Sequence, residues 1–523
     1  MEKNSKIKIS KLLNFLDKKG LDGYILPSTD EYLNEYLPIY NLRLKWLTNF
    51  SGSNGLFFII KGKLLFFTDS RYLLQAKKQL IKEFEIFDSS KVSIFDWIKK
   101  ELPKSKFKIA VDTKINSINF IEKLEEISSY ENKIFFFSNK ILVDKLWENR
   151  PKPLINEVYK IPKKYTGISA KEKIKKILEK IAKQEIFLIT SPESINWLLN
   201  IRGLDLQYTP IVFSRMIIQK KKKIKLFINL NKINKKIKIF FTNLNIELFD
   251  ETLLEVELKK ISYRKKVSLE KNSPYYFLEI LRSNKSIISY KKDPCKLEKS
   301  IKNKVEIECS RQAHFLDGIA LANFFHWLDS SSENPNLDEV SVAEKLEEYR
   351  KRNKNFISLS FPTISASSKN ASIIHYQPNT KKKSSLSKGE IYLCDSGGQY
   401  MFGTTDVTRT IIFGNKSKIS KKIIDYYTRV LIGHINIAML KFPFQTRGVH
   451  IDSIARTSLW SIGKDYGHGT GHGVGSFLGV HEGPHSISKA LIDVPLKPGM
   501  IISNEPGYYQ DNNFGIRIEN LIC

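Results

Sequence analysis

The sequence belongs to the α/β fold class with α+β character, arranged as two related α/β domains followed by a third, chemically different one. Three observations predict this. The first is an internal repeat: Trp46-Leu47-Thr48-Asn49-Phe50-Ser51-Gly52 lines up with Trp197-Leu198-Leu199-Asn200-Ile201-Arg202-Gly203 at a constant offset, so a domain of about 150 residues occurs twice. The second is a set of short apolar runs separated by turns in each copy, alternating with charged helical stretches. The third is partition: all nine histidines lie between His314 and His485, and 19 of the 26 glycines follow residue 300. Polar, glycine-rich, imidazole-bearing sequence suits catalysis, whereas lysine-rich, histidine-free sequence suits a scaffold.

The elements follow in order. In the first copy, GYILP (23–27), GLFFII (55–60) and LLFFT (64–68) read as strands, the last two joined by a turn at Lys61-Gly62-Lys63. In the second, IFLIT (186–190), IVFSRMII (211–218) and IKLFIN (224–229) repeat the plan. The run Lys220 to Lys223 falls where a hairpin turn is expected and reads as a solvated turn rather than a phosphate site. Asn149-Arg150-Pro151-Lys152-Pro153 is a proline-punctuated linker leading to the charged helix AKEKIKKILEKIAKQ (170–184). A second transition falls at Asp293-Pro294. Beyond it, Val305, Phe315, Ile319, Ala322 and Phe325 have helical spacing, predicting a helix over 297–330 on which His314 and His326 are core or boundary residues. The expected domains are 1–150, 151–296 and 297–523.

The 523 residues carry 85 Lys+Arg against 55 Asp+Glu, a net charge of +30 that falls almost wholly in the first 300 residues. Seventy of the basic residues are lysine and only 15 are arginine, the residue that bidentate base and phosphate readers favour. The charge therefore reads as composition rather than as a specific nucleic-acid surface. Cys295, Cys309, Cys394 and Cys523 make no disulfide framework and no CxxC metal pair. No apolar run approaches the ~18 residues of a membrane span, and MEKNSKIKIS lacks the apolar core of a signal peptide, so a cytoplasmic protein without a membrane partner is expected.

The third domain holds a spaced set of acids. Asp395 ends the apolar run IYLCD, and Asp406 follows eleven residues later across a glycine turn, so an antiparallel hairpin can place both on one face. Tyr466-Gly467-His468-Gly469-Thr470-Gly471-His472-Gly473 presents two histidines among glycines, with no glutamate after the first as a helical HExxH site would need. Glu505 lies in SNEPG and Glu519 in GIRIEN. Four carboxylates and an imidazole on apolar strands are costly unless cations join them. Two divalent metals ~3.5–4 Å apart, holding a hydroxide between them, are the economical explanation. Carboxylate-rich ligation with one histidine suits manganese, cobalt or iron more than a thiolate zinc site.

These residues in their contexts, DSGGQY…GTTDVTRT, GHGTGHGVG…VHEGP, NEPGYY and GIRIEN, resemble the M24 or pita-bread metallopeptidases, and within them the three-domain Xaa-Pro aminopeptidase (aminopeptidase P) type. The likeness extends through GYILPSTDEYLNEY, FTDSRYLLQA, KYTGIS (164–169), NWLLNIRG and ASIIHYQP (371–378). It implies two creatinase-N-terminal-like α/β domains before a pita-bread catalytic domain. It also implies release of the N-terminal residue from peptides with proline second, a substrate class that lacks the amide N–H most aminopeptidases grip.

The same resemblance assigns roles. Asp395 is implied as a bidentate metal ligand, Asp406 and Glu519 as bridging ligands, His472 as the imidazole ligand, and Glu505 as a ligand and proton shuttle. His481 or His375 is implied as hydrogen-bond donor to the oxyanion, His468 as lining the proline-side pocket, and Arg517 and Tyr509 as supporting and substrate-pocket residues. Two divalent ions are implied, manganese first, with cobalt, iron or zinc as alternatives. His434, His450 and His485 read as ordinary loop histidines.

Xaa-Pro dipeptidase (prolidase) is the alternative within the fold, and a catalytically impaired pita-bread binding module the alternative outside enzymology. Family members continue several tens of residues past the position of Cys523. Glu519 is therefore expected on a nearly terminal strand whose fraying weakens metal binding, and homodimerisation, to which that tail contributes in some relatives, is left open.

Overall fold

The computed structural model describes residues 2–102, 106–131, 134–378, 383–414 and 419–523. They form two compact units. The first comprises Met1–Tyr159, Ala170–Leu206 and Ile211–Pro294; the second comprises Lys160–Ser169, Gln207–Pro210 and Cys295–Cys523. Two short pieces of the middle of the chain thus fold with its last part.

The first unit contains the repeat as two six-stranded sheets. One sheet uses β1 (Gly23–Pro27), β2 (Leu56–Ile60), β3 (Lys63–Thr68), β4 (Phe84–Asp88), β5 (Lys108–Asp112) and β6 (Ile134–Ser138), in the order β4-β3-β2-β1-β5-β6. The other uses β7 (Ile186–Ile189), β8 (Ser214–Gln219), β9 (Ile224–Ile228), β10 (Ile246–Phe249), β11 (Lys266–Leu269) and β12 (Ile287–Tyr290). Its order, β10-β9-β8-β7-β11-β12, is the same topology. In each sheet three antiparallel strands in the middle are flanked by parallel neighbours.

The aligned heptapeptides have a common structural job. Helix α1 (Arg43–Thr48) stops at Asn49 with φ +66°, and α2 (Pro192–Leu199) stops at Asn200 with φ +51°. Asparagine tolerates this left-handed conformation better than most side chains, so each copy ends its helix with the same residue. The expected turns are present. Lys61 and Gly62 both adopt positive φ between β2 and β3, and Lys221 does so between β8 and β9, where Lys221, Lys222 and Lys223 are exposed.

In the second unit the expected helix over 297–330 divides into Lys296–Ser300 and α3 (Lys304–Ser330). Asn303 separates them because its side chain accepts the amides of Val305 and Glu306, while Glu306 returns a bond to the Asn303 amide, a capping box. The inward face of α3 also differs from the expected one. Cys309, Ala313, Asp317, Ala320, Phe324 and Leu328 are buried, whereas Phe315 is 68% exposed and Ile319 47%. Asp317 turns the helix this way: Arg350 grips it at 2.7 and 3.0 Å, and the Tyr400 hydroxyl donates to it at 2.8 Å. His314 is half-buried beside the Ser310 carbonyl, and His326 is exposed rather than core.

Three small sheets carry the remaining chemistry. β13 (Ile364–Ser367), β14 (Ile391–Ser396) and β15 (Val407–Ile412) form an antiparallel trio with β14 in the middle. β16 (Gly471–Gly473), β17 (Glu482–Ile487), β18 (Ile502–Asn504) and β21 (Asn520–Ile522) form a second sheet in the order β17-β16-β18-β21. β19 (Gly507–Gln510) and β20 (Phe514–Arg517) make a hairpin.

Candidate metal centre

Asp395 sits near the end of β14, facing Thr408 of β15 in register, and Asp406 lies one residue before β15 begins. The expected antiparallel arrangement is present. Asp395 Oδ2 accepts from Arg517 Nη2 at 2.6 Å, while its Oδ1 is buried without a hydrogen-bond partner. An orphaned carboxylate oxygen in a protein interior calls for a cation or an ordered water.

His472 is central to β16. Its flanking glycines are steric necessities: a Cβ on Gly471 would stand 1.8 Å from the Ser503 carbonyl oxygen, and one on Gly473 would stand 2.1 Å from that of Glu482. His472 Nδ1 lies 2.9 Å from the Gly473 carbonyl, so this nitrogen carries the proton and Nε2 is the basic one. Nε2 lies 3.5 Å from Asp406 Oδ2 and 3.4 Å from Glu505 Oε1. Asp406, His472 and Glu519 each bring one ligand atom into a group spanning no more than 4.8 Å.

Glu519 lies between β20 and β21 and is 1% exposed. The Thr408 hydroxyl donates to its Oε2 at 2.7 Å, Arg409 Nη1 donates to its carbonyl at 2.8 Å, and its own amide bonds Thr408. Anchoring to β15, and not to the end strand alone, holds this carboxylate. Glu505 follows β18, with Ser503 Oγ donating to it at 3.1 Å and the His472 amide donating to that same hydroxyl.

Crowding sets the electrostatics. Burial, then the charges of Asp395 and Glu505, push the Asp406 carboxyl well above its ordinary range. Burial, then Asp406, Glu505 and Asp395, do the same to Glu519. Glu505 is pushed up to about 7, chiefly by burial and by Asp395, against the opposing pull of Arg517 and His481. Four mutually repelling carboxylates beside a basic imidazole nitrogen and an orphaned oxygen fit a pair of divalent cations held by oxygen-rich ligation.

Of the remaining expected residues, three are linked by hydrogen bonds. His468, Tyr509 and Arg517 are joined: His468 Nδ1 donates to the Gly469 carbonyl at 2.8 Å, Tyr509 donates to His468 Nε2 at 2.9 Å, and Arg517 Nη1 donates to the Tyr509 oxygen at 2.7 Å. A continuous path thus runs from His468 to Asp395. His481 packs edge to face on His472, ring centres 4.4 Å apart. His375 is half-buried just after the short helix Ser368–Ser372, which seats on β20 where Gly515 leaves room for the Ala371 carbonyl.

Three histidines expected in loops are not in loops. His434 is buried in helix α4 (Lys421–Ala438), His450 is in helix α5 (Gly448–Trp460), and His485 is buried in β17. The helical spacing of Tyr426, Val430 and Ile437 is the signal that places His434 on a buried face. Glu482 is another buried group absent from the expected set; it pairs with Lys299 at 2.7 Å and with Lys302.

The sequence model of metallopeptidase family M24 matches residues 308–523, and two models of the creatinase/prolidase N-terminal domain match 8–141 and 149–306. The class is therefore that of the M24 metallopeptidases bearing a doubled N-terminal domain. The chain is 37% identical to Xaa-Pro aminopeptidase 1 of Dictyostelium discoideum, over 98% of this chain and 84% of that protein. It is 36% identical to Xaa-Pro aminopeptidase ApepP of Drosophila melanogaster, over 97% and 84%. The X-prolyl aminopeptidase of Caenorhabditis elegans, described as a cytosolic enzyme with a di-nuclear active site, superposes with a TM-score of 0.90 at 30% identity, covering 96% of this chain and 83% of that one. The chain belongs to the Xaa-Pro aminopeptidase family of M24 metallopeptidases.

Proposed function

We propose that this chain is a two-metal aminopeptidase that releases the N-terminal residue from peptides with proline at the second position. The convergence of Asp406, His472 and Glu519 within 4.8 Å, with Glu505 3.4 Å from the same imidazole nitrogen, carries the reading. Asp395, Asp406, His472, Glu505 and Glu519 would hold the ions. When bound, two divalent cations supply a water acidified enough to attack an amide at neutral pH and polarise the scissile carbonyl.

The chain's own groups do the rest. Glu505 takes the proton from the attacking water and gives it to the leaving proline nitrogen. His481 or His375 donates to the oxyanion, where developing charge makes a fixed donor most valuable. His468 lines the proline-side pocket, its ring orientation fixed by Tyr509 and the Gly469 carbonyl. Arg517 holds Asp395 and Tyr509 together, so that the metal ligand and the pocket wall share one anchor.

Manganese is the proposed native metal, because five ligands with four carboxylates favour a hard, oxygen-preferring ion. A cytoplasmic location is proposed from the C. elegans relative, described as a cytosolic enzyme.

Hydrolysis of a Gly-Pro-Pro tripeptide and of an Xaa-Pro dipeptide, with and without Mn²⁺ and alongside metal content, tests the function. Tripeptide cleavage that follows metal loading is expected. Cleavage of the dipeptide alone would make the chain a prolidase, and no cleavage of either at two bound ions would leave it an inactive pita-bread module.

A further inference from the structure

Helix α4 delivers to the metal centre a histidine for which the two-metal chemistry has no role. His434 is 8% exposed and contacts both glutamate-bearing segments. Its Nδ1 donates to the Asn504 carbonyl at 3.0 Å, and its Nε2 accepts from the Asn520 side-chain amide at 3.2 Å. Asn504 returns a bond from its own side-chain amide to the His434 carbonyl at 2.9 Å.

Asn504 immediately precedes Glu505, Asn520 immediately follows Glu519, and the two asparagines are register partners where β18 and β21 pair. One imidazole therefore spans the point from which both glutamates depart. Only a neutral ring can donate from one nitrogen and accept at the other. Burial, the main influence on the ring, favours that neutral form. The helix itself is closely seated, since a Cβ on Gly433 would stand 2.2 Å from the Ala455 carbonyl oxygen of α5.

We propose that His434 is a positioning residue for the metal pair, setting the separation of Glu505 and Glu519 by bonding the residue beside each. The inference rests on the two-metal reading. It goes further by assigning to α4, outside the ligand motifs, control over the glutamate spacing that a second ion requires.

Mn²⁺ titration of the full chain, followed by electron paramagnetic resonance and metal content, tests it without substrate. His434→Leu, which keeps bulk but neither bond, is expected to bind its second Mn²⁺ at least ~10-fold more weakly, in line with the loss typical for groups that support metal ligands. Its kcat on the tripeptide should fall at unchanged KM. His434→Asn, which restores a donor near the Nδ1 position, should recover part of both. Ile437→Ala, on the same buried helix face, should lower the melting temperature without changing Mn²⁺ affinity.

Wild-type affinity for both ions in His434→Leu, or a loss no greater than that of Ile437→Ala, overturns the proposal. Should His434→Leu not fold, Asn520→Ala removes the Nε2 contact from outside the helix, and wild-type affinity there also overturns it. An unmodified chain that binds no metal overturns the two-metal reading together with this one. Two ions bound with equal affinity by wild type and His434→Leu overturn this inference alone.

Discussion

The two units bury different materials. The paired sheets of the first are filled with side chains such as Phe57, Phe58, Phe66, Ile109, Leu188, Met216 and Leu226, and most of their lysines face water. Its buried ion pairs are fewer: Arg43 held by Glu31 and Asp144, and Lys232 with Asp205. The second unit buries ions repeatedly: Arg350 with Asp317, Arg456 with Asp452, Arg517 with Asp395, and Glu482 with Lys299 and Lys302.

Each of these clusters touches the metal centre or a neighbour of it. Arg350 bonds Ser396, next to Asp395; Arg456 bonds the His468 carbonyl; Glu482 follows His481; and Arg517 holds Asp395 directly. Apolar packing dominates where the chain must only fold. Where side-chain direction matters, the interior uses paired charges, whose value lies in geometry more than in net stability.

Four measurements break or sharpen that contrast. The largest effect is expected for Glu482→Gln, which leaves two buried ammonium groups without their shared carboxylate. Uncompensated buried charge costs about 3–5 kcal/mol, so chemical denaturation should show a fall of that order. A loss under ~1 kcal/mol would mean the cluster is solvated and the contrast false.

His485 should impose a pH dependence on stability. Burial, helped by Lys302, holds its pKa down at about 4 against an ordinary 6.5, so the folded state keeps the ring neutral. The unfolded chain binds the extra proton between those values. This contribution is therefore whole above pH 6.5 and lost as pH falls toward 4, by roughly 3 kcal/mol. Melting curves of His485→Gln should be flatter with pH across that window than those of wild type, and identical slopes would refute the assignment.

Glu505→Gln should lower kcat by ~10²-fold, about 2.7 kcal/mol of barrier, with tripeptide KM little changed. Full turnover would remove the proton-shuttle role. The smallest effect should come from Lys259→Met in the first unit, where a half-exposed helical pair with Glu255 contributes only about 0.3–0.5 kcal/mol. A melting temperature indistinguishable from wild type is expected, and a large drop would mean that surface charge does support the scaffold.

The same contrast governs what could be read in advance. β1 begins and ends as its apolar run does, both hairpin turns fall on their lysines, and the repeat at Trp46 and Trp197 reappears as matching sheet orders. Apolar alternation and turn chemistry are local properties, so the scaffold was legible. The acids gathered around His472 were legible as candidates because each stands in a short, unusual context.

Features settled by distant partners were not. The inward face of α3 depends on Arg350, 33 residues from Asp317. His434 finds its partners 70 and 86 residues away, and nothing beside it in the chain announces them. Spacing within α3 alone favoured Phe315 and Ile319, which the buried ion pair leaves facing solvent.

The glycines around His472 bear on how freely this sequence can vary. At Gly471 and Gly473 the space for a side chain is already filled by carbonyl oxygens of the neighbouring strands, and at Gly473 by the His485 ring as well, 2.4 Å from the Cβ position. Even alanine would have to push a strand aside. A ligand can often be exchanged for another donor, but here the two positions on either side of the imidazole admit no side chain at all. In a saturation-mutagenesis library, those two sites should therefore be as intolerant as the histidine between them, although neither has a side chain to bring to the chemistry.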